Sequence, residues 1–261
     1  MPLSHLDDDH GRRFGGLDRL YGDGTRLTLH QSHVAIIGVG GVGSWTVEAL
    51  TRSGVGQLTL IDLDHIAVSN INRQIHALDS TLGQAKVQAL ATRIRDINPA
   101  CKVNLIEDFL DENNLATLMS PGRFDAVVDA CDEARVKTAL IAHARLHKIP
   151  LIVCGAAGGK SNPLSLRQDD LGRVTHDALL ARIRNQIKKE FNLQPRKNGK
   201  FGVSCLYLEE ASRRSTSCTT GDLNCAGYGS AVTVTAAMGL AAAAWCLEQL
   251  LPSAGRKSNN N

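Results

Sequence analysis

The chain has 261 residues and a mass of 28.0 kDa, with 29 Lys and Arg against 26 Asp and Glu, a formal net charge of +3. Its length allows one large α/β domain or two small ones, and 43% hydrophobic with 21% charged residues excludes disorder throughout. Aromatic residues at 4% disfavour a β-sandwich, and a charge of +3 alone does not indicate a nucleic-acid-binding protein.

The N-terminal residues carry neither the basic nor the apolar segment of a signal peptide. The seven cysteines form no C-x-x-C pair, and several lie in apolar runs where a free thiol packs as a small hydrophobic side chain. We therefore expect a reducing compartment and a cytoplasmic protein.

From residue 33 to residue 154, short apolar strands alternate with amphipathic helices. The predicted strands are 34–38, 57–62, 102–107, 125–130 and 149–154. The predicted helices are 44–52, 83–98, 112–119 and 133–148. This alternation predicts parallel strands with right-handed crossovers, and therefore an α/β, Rossmann-like, doubly wound and mostly parallel sheet.

The alternation ends at Gly155, and the remainder predicts a C-terminal variable α+β region. A predicted strand at 164–168 and a basic helix at 176–191 precede a weakly alternating segment at 201–208. Residues 226–247 are uncharged and long enough in sequence to span a membrane, but Ala, Gly, Ser and Thr dominate them. We therefore favour a buried core helix there, with a membrane anchor as the alternative.

These patterns predict four regions along the chain. The regions are an N-terminal arm (1–31), a Rossmann-like nucleotide-binding core (32–159), a substrate-recognition region with the apolar helix (160–252) and a disordered tail (253–261).

Charge is distributed unevenly along the chain. Segment 173–214 has ten basic and four acidic residues, a net charge of +6, which leaves a net charge of −3 for the rest of the chain. This asymmetry predicts a surface for phosphates or an acidic partner, with a solvated helix face as the alternative. The candidate binding residues are Arg182, Arg184, Lys188, Lys189, Arg196, Lys197 and Lys200.

A glycine-rich loop, Gly38-Val39-Gly40-Gly41-Val42-Gly43, follows the first predicted strand and precedes a predicted helix. Glycines there let a phosphate approach the N–H groups at the N-terminus of the helix. Asp62 ends the second predicted strand, where an acidic side chain commonly holds a ribose hydroxyl. By themselves these features fit NAD as well as ATP.

Two cations near this loop favour ATP. Arg73 lies in the segment 69–74, and Lys86 lies on the next predicted helix. Cleavage of a triphosphate needs positive charge near the α-phosphate and the departing pyrophosphate, whereas a nicotinamide enzyme has little use for this pair. Asp132 follows the fourth predicted strand, at the sheet edge where α/β proteins bind ligands, and a helix N-cap is its alternative role.

Together, G-x-G-G-V-G-S, D-x-D, S-N-x-N-R-Q, the helical lysine and D-A-C-D resemble the adenylation domain of the ubiquitin-activating-enzyme superfamily, which includes the molybdopterin-synthase and thiamine-pathway adenylyltransferases. The resemblance covers residues 33–159 and implies that ATP and Mg²⁺ bind. It implies catalytic roles for Arg73 and Lys86 at the phosphates and for Asp132, which would also support Mg²⁺. The ATP-binding residues it implies are Gly38, Gly40, Gly41, Val42, Gly43, Asp62, Asp64, Asn70, Arg73, Gln74 and Lys86.

Further segments resemble the bacterial branch of this superfamily that dehydrates threonylcarbamoyladenosine in tRNA; they are residues 13–16, 19–22, 72–78, 155–159, 197–203 and 224–226. This branch implies that ATP activates the threonyl carboxylate as an acyl-adenylate. A group of the same side chain then closes a ring and releases AMP, and the basic segment contacts the anticodon stem-loop of the tRNA. The resemblance also implies a homodimer and a cysteine desulfurase or sulfur-acceptor system as partners.

Two features depart from the wider superfamily. The paired C-x-x-C motif is absent, so no structural zinc is expected, and the residues leave a monovalent cation undecided. An N-terminal arginine that some members donate across a dimer has no clear counterpart, and Arg13 and Arg19 are equal candidates. Where relatives carry a thioester cysteine, Cys205, Cys218 and Cys225 have no obvious base nearby, so we interpret them as structural or incidental thiols.

Three other functions stay open at this point. An adenylyltransferase acting on the C-terminus of a ubiquitin-like or sulfur-carrier protein would prefer that carrier over tRNA in pyrophosphate exchange. An NAD-dependent oxidoreductase would bind nicotinamide cofactors without ATP. A scaffold tethered to a membrane by residues 226–247 would resist extraction from membranes with carbonate.

Overall fold

The computed structural model describes residues 8–213 and 228–251, and a seven-stranded sheet runs through them. Its strands are β1 (His33–Ile37), β2 (Gln57–Ile61), β3 (Lys102–Ile106), β4 (Ala126–Asp129), β5 (Leu151–Cys154), β6 (Leu166–Asp170) and β7 (Ser204–Leu208). They lie in the order β3-β2-β1-β4-β5-β7-β6, with β6 antiparallel to β7 and every other pair parallel. The predicted doubly wound, mostly parallel α/β fold is therefore confirmed.

Helices cover both faces of this sheet. The helices in the described ranges are α1 (Asp8–Tyr21), α2 (Thr25–Gln31), α3 (Gly43–Arg52), α4 (Lys86–Ile97), α5 (Leu115–Leu118), α6 (Ala134–His147), α7 (Ala178–Glu190) and α8 (Val232–Leu250). Because side chains alternate along a strand, β1 sends Ile36 to the core layer shared with α3, α4 and α8 and Ile37 to the layer shared with α6 and α7. Both layers are apolar, as expected for strands that are buried on two sides.

Several element boundaries differ from the sequence expectation for local reasons. Helix α1 was not predicted because it contains three glycines, yet Phe14 buries its ring beside Gly54 and holds the helix against the turn that follows α3. Helix α5 is shorter than predicted, since Asp111 accepts hydrogen bonds from the N–H groups of Asn113 and Asn114 in a turn that occupies its expected start. Strands β6 and β7 extend the sheet itself, and the domain limits stay a prediction.

The apolar segment near the C-terminus forms α8, which packs on α3 inside the core. A side chain at Gly239 would place its Cβ 2.4 Å from the Val42 carbonyl oxygen, so glycine permits this close approach of the two helices. The Thr46 hydroxyl donates to the Gly239 carbonyl across the same contact, at 3.1 Å. The core-helix interpretation is confirmed over Val232–Leu250, and within the described ranges no helix is long and apolar enough to cross a membrane.

Candidate active site

The strand order reverses between β1 and β4, which makes this the switch point of the sheet. The two strands are parallel neighbours, and Ile37 at the end of β1 pairs with Asp129 at the end of β4. The glycine loop and the segment with Asp132 therefore leave the same edge of the sheet side by side. In open α/β sheets, ligands bind in the crevice at this point.

The glycine loop has a conformation that requires its first and last glycines. Gly38 has φ +78°, and a Cβ there would lie 2.8 Å from the backbone nitrogen of Cys131. A Cβ on Gly43 would lie 1.9 Å from the Gly38 carbonyl oxygen, so only glycine lets α3 begin this close to the strand end. The N-terminus of α3 consequently opens on the edge of the sheet, where it favours an anion.

A second group of predicted residues meets at the end of β2. The side chain of Asp62 is 8% exposed and accepts hydrogen bonds from the backbone N–H groups of Val39 and Asp64, at 2.8 and 2.9 Å. The Lys86 ammonium lies 2.7 Å from the Asp64 carboxylate and 3.9 Å from that of Asp62. Burial raises the pKa of the Asp62 carboxyl above its ordinary value, although Lys86 and the two N–H groups oppose that rise.

The segment 68–74 brings Arg73 beside the glycine loop, where a Cβ on Gly41 would lie 3.5 Å from its Cγ. Its backbone carbonyl accepts hydrogen bonds from the Trp45 indole and the Thr235 hydroxyl, at 3.1 and 3.2 Å. Its guanidinium donates to the Ser69 carbonyl and, at 3.1 Å, to the side-chain oxygen of Asn72. Thr235 also lies over the loop, since a Cβ on Gly41 would be 3.1 Å from its methyl group. Helix α8 therefore helps to position Arg73.

Asn70 and Gln74 flank Arg73 and are both buried. The Asn70 side-chain oxygen accepts a hydrogen bond from the backbone N–H of Ala67 at 3.2 Å, which shapes the turn. The Gln74 amide lies beside Gly40, and its oxygen has no hydrogen-bond partner within the described residues. A buried amide oxygen without a hydrogen-bond partner costs free energy. A hydrogen-bond donor on a ligand bound at the glycine loop would supply that partner.

Asp132 lies exposed at the end of β4, next to the Cys131 backbone that contacts Gly38. The N-cap of α6 is Glu133, whose carboxylate accepts from the Arg135 N–H at 3.2 Å, so Asp132 does not serve as that cap. Among the residues that the structure describes, no three His, Cys, Asp or Glu side chains cluster as a metal site. One carboxylate beside a polyphosphate is the donor set that Mg²⁺ commonly uses.

Sequence reasoning missed two buried ion pairs behind this edge. Lys137 lies 2.9 Å from Asp129 and donates to the backbone carbonyls of Asp129 and Cys154, at 3.2 and 2.9 Å, which ties the ends of β4 and β5 together. Burial disfavours the ammonium, yet Asp129 keeps the pKa of Lys137 above its ordinary value. Lys160 and Asp177 form the second pair, at 3.5 Å. Lys137 lies among the apolar residues on one face of α6, and this pattern in the sequence could have indicated a buried, paired lysine.

The predicted basic residues divide into two groups on and after α7. Arg184 donates to the carbonyls of Leu171 and Val174, and Lys188 lies over the Phe201 ring at 5.6 Å, so both contribute to the fold. Lys200 is half-buried in the turn closed by the Arg196 N–H, which donates to its carbonyl at 2.8 Å. The exposed members are Arg182, Lys189, Arg196 and Lys197.

The remaining candidates have separate positions. Arg13 pairs with Asp9 at 2.6 Å and donates to the Ile97 carbonyl at 3.2 Å, whereas Arg19 is exposed in the last turn of α1. Cys205 lies in the core, and burial raises the pKa of its thiol well above the ordinary value, which disfavours a thiolate nucleophile. Cys218 and Cys225 lie outside the described residues.

Comparison with known proteins gives consistent matches along the chain. The model of the ThiF family matches residues 16–261. The tRNA threonylcarbamoyladenosine dehydratase of Escherichia coli (strain K12) is 40% identical over 264 residues, which cover 97% of this chain and 98% of that protein. A crystal structure of E. coli tRNA N6-threonylcarbamoyladenosine dehydratase in complex with ATP matches with a TM-score of 0.87 and 41% identity, over 94% of this chain and 96% of that one.

A related enzyme matches a shorter part. The molybdopterin-synthase adenylyltransferase of Escherichia coli (strain K12) is 38% identical over 129 residues, which cover 49% of this chain and 51% of that protein. The similarity to the dehydratase is therefore about twice as extensive.

Proposed function

The chain belongs to the ThiF family, and on that premise we propose that it catalyses the ATP-dependent dehydration of threonylcarbamoyladenosine in the anticodon loop of tRNA. The extent of the similarity carries the proposal. The dehydratase of E. coli is similar along nearly the whole chain, so β6, β7, α7 and α8 have counterparts there. The match to the molybdopterin enzyme leaves half of this chain without a counterpart, which disfavours a carrier protein as the substrate.

The geometry supports a position for ATP at the switch point. The phosphates would lie over Gly38–Gly43, where the α3 N-terminus favours negative charge. Each Asp62 oxygen has one lone pair beyond its backbone hydrogen bond, which leaves room for a ribose hydroxyl. Lys86 lies beside Asp62, which binds the loop at Val39, and Arg73 lies beside Gly41, so positive charge is available where the α-phosphate and the leaving pyrophosphate develop negative charge.

The reaction needs two covalent steps. A carboxylate oxygen of the threonyl group attacks the α-phosphorus of ATP, the bond to the β-phosphate oxygen breaks, and pyrophosphate leaves. A nucleophilic group within the same side chain then attacks the activated carbonyl, loses its proton and expels AMP. The product is a ring that lacks one water relative to the substrate. Because the nucleophile and the acyl group share one side chain, the protein needs to orient them and needs no catalytic cysteine.

Mg²⁺ and the macromolecular partners belong to the same proposal. Asp132 would hold Mg²⁺ together with the ATP phosphates, and the ion would neutralise charge on them. The exposed cations Arg182, Lys189, Arg196 and Lys197 would contact tRNA phosphates. A homodimer, to which Arg13 or Arg19 would contribute, stays a prediction, as do a cysteine desulfurase or sulfur-acceptor partner and a cytoplasmic location.

One assay tests the proposal directly. The chain is incubated with ATP, Mg²⁺ and tRNA that carries threonylcarbamoyladenosine, and the nucleosides are then digested and weighed. We expect the modified nucleoside to lose the mass of one water while AMP and pyrophosphate form in equal amounts. An unchanged mass with a chain that demonstrably binds ATP would contradict the proposal. Pyrophosphate exchange that depends on a carrier protein and not on tRNA would favour the adenylyltransferase.

A further inference from the structure

A cleft beside Arg73 is lined by two segments that lie far apart in the sequence. The described lining residues are Val68, Ser69, Ile71, Asn72 and Arg73 on one wall and Tyr228, Gly229 and Ser230 on the other. Its volume of about 740 Å³ lies within the range of sites that hold small molecules. The ATP position proposed above uses only the Arg73 end of this cleft, so the remaining walls require another explanation.

One direct hydrogen bond joins the two walls, and a second one ties the wall with Tyr228 to the segment that follows β5. The Asn72 side-chain amide donates to the Ser230 carbonyl at 2.8 Å, and the Gly159 N–H donates to the Gly229 carbonyl at 2.8 Å. The wall with Tyr228 is therefore anchored to the segment after β5, and the shape of the cleft does not depend on exposed side chains alone. Sites held in this way lose little conformational freedom when a ligand binds.

The glycines after β5 create the seat of the Tyr228 ring. A Cβ on Gly158 would lie 3.3 Å from the Tyr228 Cβ, and a Cβ on Gly159 would lie 2.7 Å from its ring atom Cδ1. The ring consequently packs against glycine backbone, while Tyr228 as a whole is 39% exposed. This accounts for Gly158 and Gly159 in the glycine-rich segment 155–159, whose role the nucleotide does not explain.

The chemistry of the lining distinguishes between ligands. Val68 and Ile71 line the cleft and are 69% and 44% exposed as residues, so apolar surface is available there for a planar ring. Among the described residues that line the cleft, Arg73 is the one cation, whereas a triphosphate would need several. Threonylcarbamoyladenine combines a planar purine with a single carboxylate, and this matches one aromatic ring and one guanidinium.

We propose that the cleft binds the modified adenine of the tRNA, stacked on Tyr228, with its threonyl carboxylate directed toward Arg73. The inference rests on the proposed function and deepens it, because it places the acyl substrate next to the phosphates. Sequence-specific recognition of RNA commonly extracts a base from its loop and stacks it on an aromatic side chain. The carboxylate would thus reach the α-phosphate from the side of the cleft.

Substitution of Tyr228 tests the stacking. In Tyr228→Ala, we expect kcat/KM for modified tRNA to fall about 5- to 150-fold, the usual effect of losing one stacked base. Tyr228→Phe keeps the ring and should retain the wild-type value within about twofold. Tyr21 is similarly exposed, at 42%, but lies at the end of α1, so Tyr21→Ala serves as the matched control. ATP affinity, measured by calorimetry, should stay unchanged in all three.

A second pair of variants covers the case in which Tyr228→Ala disturbs the loop. Val68→Asp adds a negative charge at an exposed cleft position and should raise the KM for tRNA by repelling the carboxylate. Leu78→Asp adds the same charge at a position that is 51% exposed and outside the cleft lining, and it should leave the KM unchanged. Thermal unfolding of each variant provides the folding control.

The outcomes separate the two proposals. If the wild-type chain dehydrates tRNA while Tyr228→Ala and Val68→Asp both retain full kcat/KM, the cleft is not the base-binding site. Equal losses of ATP affinity and of kcat/KM in Tyr228→Ala would assign the cleft to the nucleotide and overturn the inference alone. A wild-type chain that binds ATP but leaves the nucleoside mass unchanged would overturn the proposed function, and the inference with it.

Discussion

Arg73 contacts helix α3, helix α8 and its own segment 68–74. Trp45 and Thr235 bind its carbonyl, Asn72 and Ser69 accept from its guanidinium, and the guanidinium borders the cleft. The backbone of this residue is therefore fixed independently of its charged end. Removal of the charged end should affect chemistry far more than folding.

We expect Arg73→Ala to lower kcat for AMP formation about 10²- to 10³-fold, the usual effect of losing one group that stabilises transition-state charge. The thermal unfolding temperature should remain close to that of the wild type. Arg95 is exposed in the last turn of α4, so Arg95→Ala is the matched control and should keep full activity. Full turnover by Arg73→Ala in single-turnover kinetics would contradict the phosphate role.

The lowered pKa of His76 predicts how the free energy of unfolding depends on pH. Burial, together with the nearby charges of Lys86 and Arg93, lowers the pKa of His76 to about 4. Between pH 6.5 and 4 the unfolded chain binds a proton that the folded chain rejects, so the free energy of unfolding should fall as the pH falls. A pKa difference of this size corresponds to about 3 kcal/mol.

The variant His76→Leu lacks this proton site. Its urea-unfolding free energy should lose less between pH 8 and pH 4 than that of the wild type, by about 3 kcal/mol. Comparing the two proteins at each pH cancels the contribution of all other titrating groups. Parallel pH profiles for both proteins would show that His76 is not the responsible group.

The conformation of the glycine loop, residues 38–43, predicts how a substitution there changes the connection between β1 and α3. Gly38→Ala combines an unfavourable positive φ with a Cβ only 2.8 Å from the Cys131 backbone, so the loop must move away from β4. Gly122 also has a positive φ, +75°, but a Cβ there would meet nothing within 4 Å, which makes Gly122→Ala the matched control.

We expect Gly122→Ala to lower the free energy of unfolding by about 1 to 2 kcal/mol without changing ATP affinity. Gly38→Ala should lower it further and should also weaken ATP binding about tenfold or more, because the displaced loop no longer faces the phosphates. Calorimetry and chemical unfolding measure the two effects separately. Unchanged ATP affinity in Gly38→Ala would mean that the loop does not contact the nucleotide.

At the scale of the whole molecule, the basic surface predicts how tRNA binding depends on salt. Each phosphate contact contributes about 0.7 to 0.9 to the slope of log affinity against log salt concentration. The double variant Lys189→Ala with Lys197→Ala should reduce that slope by about 1.5 and weaken binding at low salt. Lys102 and Arg95 are also exposed and lie outside segment 173–214, so their double alanine variant should keep the wild-type slope. Equal slopes for both double variants would place the tRNA elsewhere.

The first five strands could be predicted because each is a short apolar run between recognisable helix starts and ends. Helix α1 could not be predicted, because its three glycines oppose a helix locally and the contact between Phe14 and Gly54 becomes visible only in three dimensions. The positions of β6 and β7 in the sheet could not be predicted either. The alternation of polar and apolar residues indicates two strands, but it does not indicate that β7 pairs with β5. Tertiary packing decided both cases.

In the candidate site, residues near one another in sequence were the predictable ones. Gly38–Gly43 and Asp62 follow strands directly, so an edge location was expected for each. The support of Arg73 by Thr235 spans 162 positions, and Lys137 reaches Cys154 across 17, so neither contact produces a local pattern. The proposed role of Tyr228 has no local signal either, because only the fold places it in one cleft with Asn72.

The packing of α8 against α3 also has a consequence for biosynthesis. The Thr46 hydroxyl and the Gly239 carbonyl that it contacts are 193 positions apart. A ribosome therefore produces the glycine loop long before the helix that packs beside it, and the apolar face of α3 stays uncovered while the intervening chain is made. Such exposed surface is what chaperones recognise on incomplete chains. Nucleotide affinity should thus appear only after translation has passed Leu250, which makes ATP binding a marker of a fully synthesised core.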